Sequence, residues 1–73
     1  MDYIKRIGAR LETLLKEKGF TQKRLAVESK ISRMTINGTI RGRVKKVSFE
    51  TLIAICNVLN ISLRGFFDSE LFN

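Results

Sequence analysis

The sequence predicts an all-α fold, a compact bundle of about five short helices that forms a single domain over residues 1–73. Apolar residues recur at the spacing of helix faces in most segments of the chain. Residues that cap helices precede these segments, most clearly Thr21, Ser32 and Ser48. A chain of 73 residues can bury one small core but has no room for a separate catalytic domain.

The first predicted helix covers residues 3–18 and is amphipathic. Lys16 and Lys18 in its last turn and Gly19 just beyond it are typical of a helix end. We expect this helix to serve as a scaffold, with Phe20 entering the core after it. Its apolar face consists of Ile4, Ile7, Leu11, Leu14 and Leu15.

Residues 21–41 predict a helix-turn-helix, which is two short helices joined by a tight turn. Thr21 caps the first helix, which ends near Ser29, and Ser32 caps the second. Ile31 fills the corner between them. The residues expected to face the core are Leu25, Ala26, Ile36 and Ile40.

The second half of the chain begins with a basic segment, residues 41–47, which has no secondary-structure period and predicts an ordered loop. Ser48 then caps a fourth helix whose apolar face is wider than a single stripe, so we expect burial from two sides. Residues 63–72 predict a fifth short helix or helical turn. The apolar residues of the fourth helix are Phe49, Leu52, Ile53, Ile55, Cys56 and Leu59.

The C-terminal segment, residues 62–73, contains more large apolar side chains than the end of a small domain usually has. Leu63 and Phe67 lie four residues apart and are expected to close the core. The others predict a contact with a second subunit, for which a symmetric homodimer is the commonest arrangement. These candidates for a dimer interface are Phe66, Leu71 and Phe72.

Positive charge is concentrated in one third of the chain. The net charge is +7, and residues 21–47 contain eight cations and one acid, whereas the remaining residues contain six of each. A patch of one sign attracts a polyanion, whereas a general solubilising excess would be spread more evenly. The cations of the patch are Lys23, Arg24, Lys30, Arg33, Arg41, Arg43, Lys45 and Lys46.

Both helices of the predicted helix-turn-helix begin with cations, although the start of a helix is partly positive and favours acids. Lys23 and Arg24 open the first helix and Arg33 opens the second, with no acid in either first turn. The later helix has Glu50 in that position. Either site alone is typical of tolerated surface cations. Two sites beside one turn favour an anion, such as a phosphate group, held against both helix starts.

The composition argues against several functional classes. Histidine is absent and there is one cysteine, so we expect no metal site, no cofactor and no disulfide within the chain. Cys56 is expected to be a buried space-filler, and because no set of acid, base and nucleophile is present, we expect no enzyme. There is no signal-peptide pattern and no apolar run near the roughly 18 residues of a membrane span. We therefore expect a cytoplasmic location and no membrane partner.

Motifs spread along the chain follow a characteristic order: Thr21-Gln22, Leu25-Ala26, Ile31-Ser32-Arg33, Thr35-Ile36, Arg41-Gly42, Ser48-Phe49-Glu50-Thr51-Leu52 and Asn60-Ile61-Ser62-Leu63 with Phe67. Their combined spacing resembles the phage repressor and Cro-type helix-turn-helix family, also called the xenobiotic-response-element family. The match runs from about Ile7 to Phe67. The resemblance implies a lambda-repressor-like domain of five helices that binds double-stranded DNA, usually as a homodimer, and regulates transcription.

The resemblance also implies roles for individual residues. It makes Gln22 either a phosphate contact or a buttress for the third helix, and Lys23 and Arg24 join the phosphate contacts because they begin the second helix. Further contacts with the DNA backbone are implied at Arg41, Arg43, Lys45 and Lys46. The positions that read bases are Ser32, Arg33, Met34, Thr35, Asn37 and Gly38.

Some residues depart from the family pattern. Lys30 replaces the glycine that is usual in the turn, so a left-handed backbone there would be strained or rearranged. Thr39 and Ile40 invert the common order of an apolar and then a polar residue. Leu15 and Arg24 stand where the family often has an Arg–Glu pair, which predicts that Arg24 is free to meet DNA.

Together these patterns predict a sequence-specific DNA-binding transcriptional regulator, a repressor, that reads the major groove with the helix after Ser32. The alternative is a protein-binding helix-turn-helix module, such as an antitoxin-like or co-regulatory partner of a second protein, which would dock through the apolar C-terminus. RNA binding has less support, because Tyr3 is the only aromatic residue outside the predicted core positions and the C-terminus.

Overall fold

The computed structural model describes residues 2–73 and confirms the all-α prediction, since this part of the chain contains five α-helices and no strand. A turn of 3₁₀-helix follows the fifth helix. None of the described helices combines the length and the apolar character needed to cross a membrane. The elements are α1 (Tyr3–Lys18), α2 (Gln22–Ser29), α3 (Arg33–Ile40), α4 (Phe49–Val58), α5 (Leu63–Phe67) and the 3₁₀ turn (Glu70–Phe72).

Side-chain caps set the start of every α-helix. The hydroxyl groups of Thr21, Ser32, Ser48 and Ser62 each accept a hydrogen bond from the backbone N–H three residues further on. Asp2 caps α1, because its carboxylate accepts a hydrogen bond of 3.0 Å from the N–H of Ile4. The sequence pattern did not point to this cap. Such caps stabilise a helix by about 1 kcal/mol each. The predicted helix starts are confirmed for this reason.

The core is formed where α1 packs against α3 and where α2 packs against α3 and α4. α1 and α3 approach closely because Gly8 has no side chain. A Cβ on Gly8 would overlap the carbonyl oxygen of Thr39 and would lie 2.6 Å from that of Ile40. The buried apolar residues are Ile7, Leu11, Leu14, Leu15, Leu25, Ile36, Leu52, Ile55, Cys56, Leu59 and Phe66.

The end of α3 differs from its prediction. Ile36 is buried as expected, but Ile40 is only half-buried, and the fully enclosed neighbour is Thr39. The hydroxyl group of Thr39 donates a hydrogen bond of 2.8 Å to the carbonyl oxygen of Thr35, one turn back. Because that bond satisfies the hydroxyl group, the threonine can occupy a core position.

The prediction that α4 is buried from two sides is confirmed only in part, because two helices pack against α4 but leave some of its apolar face uncovered. Leu52, Ile55 and Cys56 are buried, but the side chain of Phe49 is 60% exposed and that of Ile53 is 38% exposed. α2 and α5 pack against α4 without covering this part of its surface. The chain therefore leaves an apolar stretch of α4 in contact with solvent.

The prediction that Phe66 is available to a second subunit is wrong, because its side chain is completely buried. Arg10 on α1 donates hydrogen bonds to the carbonyl oxygens of Phe66 (2.8 Å) and Gly65 (3.1 Å). These bonds hold the end of α5 against α1 and direct Phe66 inward. Leu63 and Phe67, which were expected to close the core, are half-buried and pack against it.

The 3₁₀ turn lies against α1 and α5 through aromatic contacts. The ring of Phe72 stacks on Tyr3, with 6.5 Å between the centroids, and meets Phe67 edge-on at 4.8 Å. Phe72 is half-buried by these contacts, whereas Leu71 remains exposed. A role for Leu71 and Phe72 in a dimer interface stays a prediction.

Candidate nucleic-acid interface

The turn between α2 and α3 keeps a left-handed backbone without a glycine. Lys30 ends α2 with φ of 62°, a conformation that costs a residue with a side chain roughly 1–2 kcal/mol. The hydroxyl oxygen of Ser29 accepts a hydrogen bond of 3.3 Å from the N–H of Ile31 and so braces the turn. The departure at Lys30 is therefore accommodated as strain, and the angle between the helices is set by this turn.

The first turn of α3 presents two long side chains to solvent. The hydroxyl group of Ser32 accepts from the N–H of Thr35 at 3.1 Å and donates to the Thr35 hydroxyl at 2.8 Å. These two predicted base-reading residues therefore bond to each other. Between them, Arg33 and Met34 are exposed, and 85% of Met34 is accessible.

A hydrogen bond between side chains joins the start of α2 to the middle of α3. The Nδ2 group of Asn37 donates to Oε1 of Gln22 at 3.1 Å, and both side chains are half-buried. The resemblance offered two roles for Gln22, and this geometry corresponds to the buttress. The bond also holds the amide of Asn37 in one orientation beside the exposed first turn of α3.

The basic segment, residues 41–47, is an ordered loop that folds back over α3. The N–H of Arg43 donates to the carbonyl oxygen of Gly38 at 2.8 Å. A Cβ on Gly38 would lie 3.2 Å from a methyl carbon of Val44. Gly38, predicted to be a reading position, thus makes room for Val44. The sequence pattern did not single out Val44, although the spacing of Gly38 and Gly42 by one helical turn was an available signal.

The loop places its cations at the surface. Gly42 has φ of 69° and turns the chain beside α1, where a Cβ would lie 2.7 Å from the Cγ atom of Lys5. The side chains that the sequence assigned to phosphate contacts in this loop are all exposed. They are Arg41, Arg43, Lys45 and Lys46.

The sequence context predicted that Arg24 is free to meet DNA, but in the structure its side chain has partners. Its Nε group forms an ion pair with Oε2 of Glu28 at 2.7 Å, and its guanidinium carbon lies 4.0 Å from the centre of the Phe20 ring. The physical reason is that Glu28 lies one turn further along α2, where an Arg–Glu pair forms readily. The neighbouring Lys23 is exposed, and the ion pairs found among residues 2–73 do not include it.

The predicted contrast in the first turns holds between α2 or α3 and α4, although α1 and α5 also have no acid in their first turns. Neither α2 nor α3 has an acid in its first turn, whereas α4 has Glu50. The first N–H groups of a helix have no partner within the helix and, with the helix dipole, favour an anion. We define the basic face as the exposed cations of α2, α3 and residues 41–47. The cations of this face are exposed to solvent.

The sequence and the fold of this chain are similar to those of known proteins. Residues 10–68 match the family model of the Cro/C1-type helix-turn-helix DNA-binding domain. Among solved structures, the chain is similar to the restriction-modification controller protein C.AhdI from Aeromonas hydrophila, with 30% sequence identity and a TM-score of 0.84. That alignment covers 92% of this chain and 100% of the other. The comparison with curated proteins finds no match.

Proposed function

The chain belongs to the Cro/C1-type helix-turn-helix family of DNA-binding domains, and from that premise we propose that it is a transcriptional regulator that binds specific sequences of double-stranded DNA. One observation carries the proposal. Along the chain, the exposed first turn of α3 is flanked by two groups of cations, those at the start of α2 and those of residues 41–47, and both segments contact α3, through Gln22 and Asn37 and through Val44 and Gly38. A major groove bordered by two phosphate backbones has the complementary arrangement.

Base reading is proposed for the exposed side chains at the start of α3. The guanidinium group of Arg33 can donate two hydrogen bonds to O6 and N7 of guanine. Met34 can pack against the methyl group of thymine. Asn37, held by Gln22 at 3.1 Å, can pair with adenine through the part of its amide that the bond leaves available.

Phosphate binding is proposed for the rest of the basic face. Lys23 can meet the DNA backbone at the start of α2, where the N–H groups and the helix dipole add to the attraction. Lys45 and Lys46 can meet it on the other side of α3. The Nε group of Arg24 is paired with Glu28, so we expect Arg24 to contribute less than Lys23.

The regulator is proposed to act as a homodimer that represses transcription. Two copies related by a two-fold axis would place their α3 helices in successive major grooves, about 10 base pairs apart. A dimer bound in this way occupies DNA that the transcription machinery needs. The regulatory role is also supported by the similar solved structure, which is that of a restriction-modification controller protein.

Selection of bound duplexes from a random DNA pool at near-physiological salt tests this function. We expect an inverted repeat with half-sites about one helical turn apart, roughly 10 base pairs. Binding that is sensitive to salt but enriches no sequence would contradict the proposal and reduce the basic face to a nonspecific anchor.

Substitutions on the selected site separate the two kinds of contact. Arg33→Ala should cost about 1–3 kcal/mol of binding free energy and relax the preference at one base pair. Combined Lys45→Gln and Lys46→Gln should weaken binding to all duplexes alike and lower the salt dependence. Arg64→Ala, which removes an exposed cation outside the basic face, is the matched control and should change neither. A uniform loss from Arg33→Ala would reassign Arg33 to phosphate binding.

A further inference from the structure

One cation of the basic face is held by two side-chain contacts. The Nε group of Arg24 donates a hydrogen bond of 2.7 Å to Oε2 of Glu28. Its guanidinium carbon also lies 4.0 Å from the centre of the Phe20 ring, within the range of a cation–π contact. The ion pairs found among residues 2–73 include no other cation of the basic face. Arg24 therefore differs from the remaining cations of this surface.

The order of the two charges in α2 is the reverse of the order that favours a helix. α2 covers Gln22–Ser29, so Arg24 lies near its start and Glu28 in its last turn. The helix dipole favours acids at the start and cations at the end, and a pair four residues apart is more favourable with the acid first. The stability of α2 is thus a poor explanation for this pair. Local rules are broken most often at functional sites.

Glu28 opposes the approach of a phosphate to Arg24. Its carboxylate bonds to the guanidinium group at 2.7 Å, so a phosphate that reached this group would be close to the carboxylate as well, and like charges repel. The two side chains remain 54% and 44% exposed. An exposed pair of this kind contributes little to stability. Replacing Glu28 therefore changes the charge of the surface without disturbing the core.

We propose that Glu28 moderates the affinity of this domain for the DNA backbone by restraining Arg24. The inference rests on the proposed function and deepens it, since it assigns a regulating role to an acid within the DNA-binding surface. The contact with Phe20 holds the guanidinium group independently of the carboxylate. Without Glu28, the cation stays in place and becomes available to a phosphate. Because a phosphate contact carries no sequence information, the restraint leaves fewer copies of the domain on unrelated DNA.

The test measures binding of the full chain and its Glu28→Gln variant to a labelled duplex of random sequence, by fluorescence anisotropy over a range of salt concentrations. We expect the variant to bind more tightly at low salt. If Arg24 gains one phosphate contact, the plot of log affinity against log salt should become steeper by about 0.9. The advantage of the variant should then grow roughly threefold between 200 and 50 mM salt.

Two controls separate a local effect from a change in net charge. Glu12→Gln removes an acid from a similar ion pair on α1, where Nζ of Lys16 lies 3.7 Å from Oε1 of Glu12, outside the basic face. This variant should keep the salt slope of the wild type. Glu28→Gln should also leave the slope unchanged in an Arg24→Gln background, because that chain has no guanidinium group to release. Circular dichroism should show the same helix content for all variants.

Three results would overturn the role of Glu28. The first is an unchanged slope in the Glu28→Gln variant. The second is an equal steepening with and without Arg24, which would assign the effect to repulsion by the carboxylate alone. The third is an equal steepening by Glu12→Gln, which would assign it to net charge.

The proposed function fails in a different way. A selection that enriches no sequence contradicts sequence-specific binding but leaves the salt slopes readable, since they are measured on a duplex of random sequence. An unchanged slope beside an enriched sequence contradicts only the role of Glu28. A chain that binds no duplex at all contradicts both.

Discussion

The basic face and the apolar surface of α4 belong to the same small bundle but expose opposite kinds of surface. On the basic face, α2 and α3 begin with cations, and the loop of residues 41–47 adds four more. On the apolar surface of α4, the exposed side chains are Phe49 and Ile53, and the first turn of the helix contains Glu50. The first surface suits a polyanion and the second suits an apolar partner.

The comparison shows how one core can support two surfaces. Buried side chains from α1, α2, α3, α4 and α5 form a single core cluster, so both surfaces depend on the same packing. Each surface also has its own support. A close contact between backbones at Gly8 positions α3, whereas α4 is positioned by its packing against α2 and α5. Substitutions can therefore disturb the shared core or one surface alone.

The largest expected effect tests whether the C-terminal segment belongs to the core. Phe66→Ala should lower the free energy of unfolding by about 3–5 kcal/mol, because it removes a completely buried aromatic side chain. Leu71→Ala, at an exposed position in the same segment, should lower it by less than about 1 kcal/mol. Denaturation by urea measures both changes. If Phe66→Ala unfolds the chain outright, Phe66→Leu gives a measurable intermediate loss.

Equal and small losses from Phe66→Ala and Leu71→Ala would contradict the burial of Phe66. Phe66 would then return as a candidate for the dimer interface.

An intermediate effect is expected where α1 supports the basic face. Gly8→Ala should destabilise the fold by about 1–3 kcal/mol, since the added Cβ meets two backbone carbonyl groups of α3 that cannot move aside. The matched control is Gly38→Ala, another glycine inside a helix, where the Cβ meets only a methyl group of Val44 at 3.2 Å. That substitution should be nearly neutral. The helix preference of alanine over glycine, about 1 kcal/mol, offsets the cost of moving the methyl group of Val44 aside. Thermal unfolding distinguishes the two.

If Gly8→Ala is tolerated as well as Gly38→Ala, α1 and α3 do not need their close contact. The position of α3 would then depend on the turn alone.

The smallest expected effect concerns strain in the turn of the helix-turn-helix. Lys30→Gly should raise the free energy of unfolding by up to about 1 kcal/mol, because glycine adopts the φ of 62° without steric cost but loses more entropy on folding. The reciprocal change, Gly19→Lys, introduces a side chain at φ of 68° with no atom nearby. It should lower the free energy by about 1–2 kcal/mol. Urea denaturation compares the pair.

Destabilisation by Lys30→Gly that exceeds the entropy cost of glycine, about 1 kcal/mol, would show that the lysine side chain stabilises the turn. The turn would then gain stability from a contact and not lose it to strain.

Local signals explain why so much of the fold could be predicted. The starts of α2, α3 and α4 were predicted from Thr21, Ser32 and Ser48, since a cap bonds to the N–H three residues away along the same segment. The basic face was predicted for a similar reason. Its cations all fall within residues 21–47, so a count of charges along the chain was enough to point to it.

The errors concern side chains whose surroundings come from distant parts of the chain. Helical periodicity could not tell Phe66 from Phe67, because α5 has only five residues and too short a pattern defines no clear face. The bond between Gln22 and Asn37 spans fifteen positions, and no local rule chose between the two roles of Gln22.

The amino-acid sequence thus determined the helices, their caps, the family and the location of the positive charge, because these depend on residues within a few positions of each other. The tertiary structure decided which apolar side chains are covered. Whether Phe49 and Phe66 are buried depends on which helix packs over each of them, and that follows from the arrangement of the whole core. Thr39 entered that core for the same reason. Arg24 is different, because its partners Phe20 and Glu28 each lie four residues away and were therefore a local signal present in the sequence.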